Sequence, residues 1–290
     1  MAKIESKGIV QDTKRNGSRT YEEKKSGRKH PSVTTVISKV AMDWKALQAW
    51  KESVGEEEAA KISRAASSLG TKVHLVNEIY FSKDRDIPET HSSNPDVMSR
   101  HELFKPFLEY VTPMFIEEAV VWETLCQDRI IGFGGTPDLV GVFNNPEILG
   151  LDLEEPFIFL ADYKNWTKSK QADRLTDKYL QLAAYSAAVN AKLKDSQKIK
   201  HAFILGTTKR KLHIFYLSLR ELNWYWVWFF EALKKYHNLD TPFNRSNFQE
   251  YSAGYLLEGK DEDGKNIWGQ REENYLGEKL LVLPKDWEGA

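Results

Sequence analysis

The sequence predicts an α/β domain, a central sheet flanked by helices, on three observations. The run Phe157-Ile158-Phe159-Leu160-Ala161 is apolar without interruption, as in a strand buried on both faces. Three β-type segments at 115–124, 129–133 and 136–143 precede it, parted by turn residues, which reads as an antiparallel meander. Helical patterns at 56–81 and 173–193 bracket these strands.

The chain opens with polar residues to Gly17, an extended stretch at 18–24, a turn near Ser26-Gly27 and then His30-Pro31. Residues 1–30 therefore read as a basic arm ending in a hairpin. Ser32 or Thr34 is placed to cap a short helix through Val36 and Val40. A helix from about residue 43 carries Trp44, Leu47 and Trp50 at helical spacing and stops near Gly55. The next, 56–81, has no proline; Val73, Val76 and Tyr80 share its apolar side, and His74 and Glu78 share another. After a polar loop at 82–96, a helix at 96–111 is expected to end ahead of Pro113. Beyond the central strand, helix 173–193 has a side of small residues, Ala183, Ala184, Ala187 and Ala188, that permits close approach to a sheet. Strands at 201–207 and 212–219 lead to an aromatic-rich helix at 222–236. Residues 239–290 read as a loop-rich acidic extension with one hairpin turn at Asp263-Gly264.

Composition narrows the function classes. Over 290 residues, 41% hydrophobic content with a formal net charge of -1 excludes a disordered chain and a coiled coil. The single cysteine, Cys126, excludes an internal disulfide, a cysteine-built zinc site and a four-thiolate iron–sulfur cluster within the chain, and points to a reducing compartment. No apolar stretch approaches the roughly 20 residues of a membrane helix. The polar opening MAKIESKGIVQDTKRNG lacks the apolar region of a signal peptide, so a soluble, cytoplasmic protein is expected. The near-zero charge hides a segment, 164–211, with 12 basic against 3 acidic side chains, which a polyanion would prefer. Lysines on solvated helix faces would give the same imbalance.

Chemistry concentrates on two consecutive strands, Gly134-Gly135-Thr136-Pro137-Asp138 and, 24 residues after that aspartate, Asp162-Tyr163-Lys164. Residues two apart on a strand share a face, so Asp162 and Lys164 project together while Tyr163 points the other way. Both charges emerge from a buried strand, where desolvation is costly unless something binds. At about 4 Å and an effective dielectric near 20, two carboxylates such as Asp138 and Asp162 repel by roughly 4 kcal/mol, and a divalent cation removes that conflict. Oxygen ligands suit Mg²⁺ or Mn²⁺, which polarise a phosphoryl oxygen and make a bound water more nucleophilic. Lys164 beside them can orient or deprotonate that water, or stabilise charge on a phosphate. An ordinary Asp–Lys ion pair at a strand end is the competing reading.

His74, one turn beyond Gly70 inside a helix, is a candidate third ligand; a glycine there costs about 1 kcal/mol relative to alanine and implies close packing. Glu78, one turn on, can bind metal or orient the imidazole. Gln181 and Tyr185, four residues apart on the helix after the Asp-Tyr-Lys strand, face one direction and can hold a lysine or a phosphate.

Taken in order, Gly70-x-x-x-His74, Pro137-Asp138, Asp162-Tyr163-Lys164 and Gln181-x-x-x-Tyr185, the chain resembles the PD-(D/E)XK nuclease superfamily, in its RecB-type exonuclease branch. Arg19-Thr20-Tyr21 and Pro31-Ser32-Val33-Thr34-Thr35-Val36 resemble the opening of mitochondrial genome maintenance exonucleases and phage-encoded relatives, and the resemblance runs from about residue 19 to 237. It implies a restriction-endonuclease-like α/β core over residues 31–238, a mixed central sheet flanked by helices. It further implies metal coordination by His74, Asp138, Asp162 and the Tyr163 carbonyl, catalysis by Lys164, and support from Gln181 and Tyr185. Glu123 aligns with a frequent family acid and has no assigned role. The implied activity is that of a Mg²⁺- or Mn²⁺-dependent DNA exonuclease. It would prefer single-stranded ends and serve replication, recombination or repair for a phage in its bacterial host.

The alternative is a catalytically silent nucleic-acid-binding accessory protein, against which the intact His74, Asp138, Asp162 and Lys164 speak. In the aromatic helix, Tyr225, Trp226, Trp228, Phe229 and Phe230 read as core ahead of base-stacking platforms, leaving Trp44, Trp50 and Trp166 as freer candidates.

Overall fold

The computed structural model describes residues 8–14, 18–42, 44–82, 85–149, 156–241 and 243, and the backbone of strands at 2–6, 255–260 and 266–268. The first element differs from the expected arm. Strands β1 (Ala2–Ser6), β2 (Ile9–Thr13), β3 (Arg19–Glu23) and β4 (Lys29–Pro31) pair antiparallel in chain order as a four-stranded sheet. Two apolar anchors seat it: Ile9 and Tyr21 are buried and pack with Ala119.

Helix α1 (Val33–Val36) starts at Ser32, whose hydroxyl accepts the Thr35 N–H at 3.0 Å, and it runs on as one wider turn over Ile37–Ala41. Helices α2 (Trp44–Val54) and α3 (Glu56–Tyr80) are parted by Gly55 alone, whose φ of +86° is open to glycine. After α4 (Glu89–Ser92), Asn94 caps α5 (Pro95–Leu108) by accepting the Asp96 and Val97 N–H groups.

Helix α5 stops earlier than expected, because β5 (Val111–Ile116) begins ahead of Pro113 and runs through it. The proline is tolerated because β5 is an edge strand whose register slips between Pro113 and Phe115. The segment at 115–124 is also two strands. Glu117 takes φ +48°, breaking the extended chain, and β6 (Val120–Cys126) leaves to form a separate hairpin with β7 (Arg129–Gly135). The hairpin turns on Gln127 and Asp128, both at positive φ. The expected meander is therefore interrupted, and β5 pairs with β8 (Leu139–Phe143) instead.

Strand β9 (Phe157–Asn165) is central, antiparallel to β8 and parallel to β10 (His201–Thr207), with α6 (Thr176–Asn190) crossing between them. Strand β11 (Leu212–Leu217) follows, then α7 (Leu219–Tyr236) with a Ser218–Glu221 capping box. The result is a five-stranded mixed sheet, β5-β8-β9-β10-β11, extended past β11 by β12 (Tyr255–Lys260) and β13 (Asn266–Trp268). The expected turn at Asp263-Gly264 lies outside the described residues.

Alternation along the strands builds two cores. On one face Phe159, Ala161, Tyr163, Phe203 and Leu205 meet Val73 and Val76 of α3 and Phe104 and Phe107 of α5. On the other, Leu160, Ile204 and Phe215 meet Leu180 and Ala184 of α6 and Tyr225 and Phe229 of α7. Each fully buried side chain of this size stabilises by about 1.5–3 kcal/mol over its exposed state, so both helical layers are held firmly to β9. Among the described residues no helix is long and apolar enough to cross a membrane.

Candidate metal centre and its cleft

Three strand ends converge. The ladder between β8 and β9 pairs Leu139 with Ala161, which leaves Asp138 beside the Asp162-Tyr163 step; its carboxylate accepts the Tyr163 N–H at 2.6 Å. The ladder between β5 and β8 pairs Ile116 with Leu139, so Glu117 follows alongside Asp138 and donates its N–H to the Asp138 carbonyl at 3.3 Å. The positive φ at Glu117 sends the chain away here. Helix α3 brings His74 to the same point, its ring edge-on to Tyr163 with centroids 5.6 Å apart.

His74 Nε2 lies 3.1 Å from the Tyr163 carbonyl oxygen, while Nδ1 lies 3.4 Å from Glu117 Oε1 and 3.5 Å from Asp138 Oδ1. One ligand atom from each of His74, Glu117 and Asp138 falls within 4.8 Å of the others, a possible metal-binding triad. Asp162 and Lys164 project together from β9 as an ion pair. The second carboxylate oxygen of Asp162, Oδ1, is buried and accepts no hydrogen bond among the described residues. Asp162, an expected ligand, is not one of that group of three, although its buried oxygen lines the same cleft; the imidazole and two carboxylates of the triad are a donor set that fits a hard or borderline divalent cation.

Electrostatics point the same way. Burial pushes the Asp138 carboxyl up to about 7; His74 opposes the shift, and Asp162 and Glu117 reinforce it. Burial works against charge on His74, yet Asp138 and Glu117 hold its imidazole at about 9. Burial also opposes the Lys164 charge, and Asp162 and Asp138 more than offset it, raising the ammonium above its ordinary value. The crowded acids thus draw positive charge, from protons and Lys164, into a site that burial makes hostile to it.

Behind the ion pair, Gln181 Nε2 donates to the Tyr185 hydroxyl at 3.1 Å, and both residues are buried. Gly134 and Gly135 let two rings press on opposite sides of β7: a Cβ would fall 2.3 Å from Tyr21 at the first and 2.2 Å from Tyr185 at the second. His74, Glu117, Asp138, Asp162, Lys164, Gln181 and Tyr185 all line one open cleft of about 1010 Å³. Gln11 and Arg19 of the N-terminal sheet, Thr34, Thr136 and Lys178 also line it.

Other residues take different places. Glu78 lines the cleft but is ion-paired with Arg85, so Glu117 and Asp138, rather than Glu78, face the imidazole. A methyl group at Gly70 would meet no neighbour within 4 Å, so the expected close packing is absent there. Glu123 binds Arg28, and His30 Nε2 at 2.9 Å, fastening β6 to the N-terminal sheet away from the metal centre. Tyr225, Trp226 and Phe229 are buried in the core, with Trp224, Trp228 and Phe230 packed against it. Trp166 lies edge-on to Phe215 and covers Gly206, beside a second hollow under α3, whereas Trp44 is 54% exposed. Glu117 escaped the sequence reading: an acid at a strand end is an unremarked residue until its register against Asp138 is known. No protein-family model matches the chain, and no curated protein matches it.

Proposed function

We propose that the protein is a metal-dependent deoxyribonuclease, an exonuclease that hydrolyses phosphodiester bonds from single-stranded DNA ends. One observation carries the reading: an imidazole and two carboxylates converge beside the Asp162–Lys164 pair, at the end of a buried strand, on a cleft of about 1010 Å³. His74, Glu117 and Asp138 would hold Mg²⁺ or Mn²⁺, with the unsatisfied Asp162 oxygen on the same cleft. A bound cation of this kind supplies charge neutralisation at a phosphoryl oxygen and acidifies a water.

The chain's own residues do the rest. Lys164 presents an ammonium on the cleft, placed to stabilise charge developing on a phosphate, and Asp162 holds it in position. Gln181 and Tyr185 back the same wall and restrict its side chains. Tyr163 contributes through its backbone, its N–H fixing Asp138 and its carbonyl fixing His74. The basic segment at 164–211, which places Lys178 in the cleft, suits a polyanionic substrate. Preference for single strands and for ends rests on the likeness to RecB-type exonucleases, as does a role in phage replication, recombination or repair.

The test is incubation of end-labelled linear and of circular single-stranded DNA with Mg²⁺ or Mn²⁺, with and without chelator, for wild type and Lys164→Ala. Metal-dependent loss of linear DNA by wild type alone supports the reading; cutting of circles reassigns it to an endonuclease. Binding without degradation under either metal overturns it in favour of an accessory protein.

A further inference from the structure

Strand β3 reaches the proposed nuclease cleft through its first residue, Arg19, which is fixed there by the backbone. Arg19 pairs with Thr13 across the β2–β3 ladder, and its carbonyl accepts the Ser32 N–H at 3.1 Å. Two residues on, the Tyr21 hydroxyl lies 3.0 Å from Thr136 Oγ1 and the Tyr21 ring covers Gly134. Those contacts seat β3 on the segment just ahead of Asp138, so the position of Arg19 relative to the metal centre is set by the fold.

The cations of the cleft are not equivalent. Lys164 is engaged by Asp162, and Lys178 by Asp177 at 2.6 Å. Arg19, half-buried in the same cleft, meets Thr34 Oγ1 at 3.5 Å and, among the described residues, no carboxylate. A guanidinium has five donors in a planar fork that matches a phosphate, and among the described residues the Arg19 fork makes a single side-chain hydrogen bond, to Thr34. Because Arg19 is bonded to none of the described acids of the cleft, its fork stays available to a phosphate.

We propose that Arg19, with the Thr34 hydroxyl, forms a second phosphate subsite that grips a DNA phosphate next to the one under attack. The inference rests on the nuclease reading for its substrate. A terminal monophosphate and an internal phosphodiester share the recognised chemistry, and the test separates them.

Binding of fluorescein-labelled oligothymidylate is followed by anisotropy in EDTA, over a range of salt, for wild type, Arg19→Ala, Arg19→Lys and the remote control Lys61→Ala. The expected result is about tenfold weaker binding by Arg19→Ala, the loss of one charge-assisted contact. Its salt slope falls by about 0.7, one phosphate fewer on a single strand. Arg19→Lys recovers part of the affinity, having the charge without the fork, and Lys61→Ala binds as wild type. Strands with and without a 5′-phosphate then locate the contact: a preference for the phosphorylated strand that vanishes in Arg19→Ala assigns it to the end, and equal losses on both assign it to the interior. The rise in thermal stability caused by Mn²⁺ stays unchanged in Arg19→Ala, which separates this subsite from the metal centre. Wild-type affinity and slope in Arg19→Ala, or no DNA binding by wild type, overturn the proposal. Absence of cleavage with the Arg19 effect intact retires the nuclease reading and leaves the subsite standing.

Discussion

The Nε2 of His74 sits 3.1 Å from the carbonyl oxygen of Tyr163, and that contact decides which ring nitrogen faces the acids. The imidazole, held at about 9, carries both protons at neutral pH, so Nε2–H donates to the carbonyl and Nδ1–H faces Glu117 and Asp138; a bound cation would take the place of the Nδ1 proton. A hydrogen bond to the opposite nitrogen is what fixes the tautomer and orientation of a metal-binding histidine. The backbone of β9 thus positions α3's imidazole as well as Asp138, whose carboxylate accepts the N–H of the same Tyr163.

Mn²⁺ in large excess is expected to raise the thermal midpoint by roughly 5–10 °C, as binding at 100 times the dissociation constant adds about 2.7 kcal/mol. His74→Ala and Glu117→Gln each remove most of that rise, as read by differential scanning calorimetry with and without EDTA. An undiminished rise in Glu117→Gln would exclude Glu117 from the centre.

Asp138→Asn, Asp162→Asn and Lys164→Ala are each expected to lower metal-dependent DNA hydrolysis by at least about a hundredfold. Folding survives in Asp138→Asn, because burial and the neighbouring acids already disfavour its charge, whereas Asp162→Asn leaves the Lys164 ammonium without its partner and lowers stability by about 3–5 kcal/mol. Circular dichroism melts alongside a gel assay check both halves of the statement; collapse of the Asp138→Asn melt would contradict it.

Acid sensitivity has a named source outside the cleft. His201 Nδ1 shares a hydrogen bond with the Tyr216 hydroxyl at 2.9 Å, and burial, with Lys200, lowers its pKa from 6.5 to about 4. The unfolded chain then takes up the proton first as pH falls, so stability that is complete above 6.5 drains away between 6.5 and about 4. His201→Gln is expected to lose less stability than wild type between pH 7 and 4.5, measured by urea midpoints.

Two glycines are expected to answer oppositely to alanine. At Gly134 the new methyl group would lie 2.3 Å from Tyr21, and overpacking of this kind costs about 1–3 kcal/mol. At Gly70, in the helix and with nothing within 4 Å, alanine should stabilise by about 1 kcal/mol. Thermal denaturation of both variants reads the signs.

Much of the frame was legible because a single physical signal dominated each element. The unbroken apolar run of β9, the Gly55 break before α3 and the Ser32 cap each depend on residues adjacent in sequence. Elements that depend on distant partners were hidden. The N-terminal strands look polar, and they form a sheet because Ile9 and Tyr21 find Ala119. Pro113 reads as a helix stop, and it sits in a strand because β5 is an edge that needs no hydrogen bond from it.

The sequence alone determined the period and order of the main strands and helices, and that Asp162 and Lys164 share one side of a strand, since strand geometry fixes the direction of neighbouring side chains. Only the tertiary structure decided that Glu117 joins His74 and Asp138 while Glu78 and Glu123 pair with arginines. The physical reason is register: which acids meet depends on how β5, β8 and β9 align and where α3 crosses them, and long-range pairing of that kind leaves no mark on any one segment.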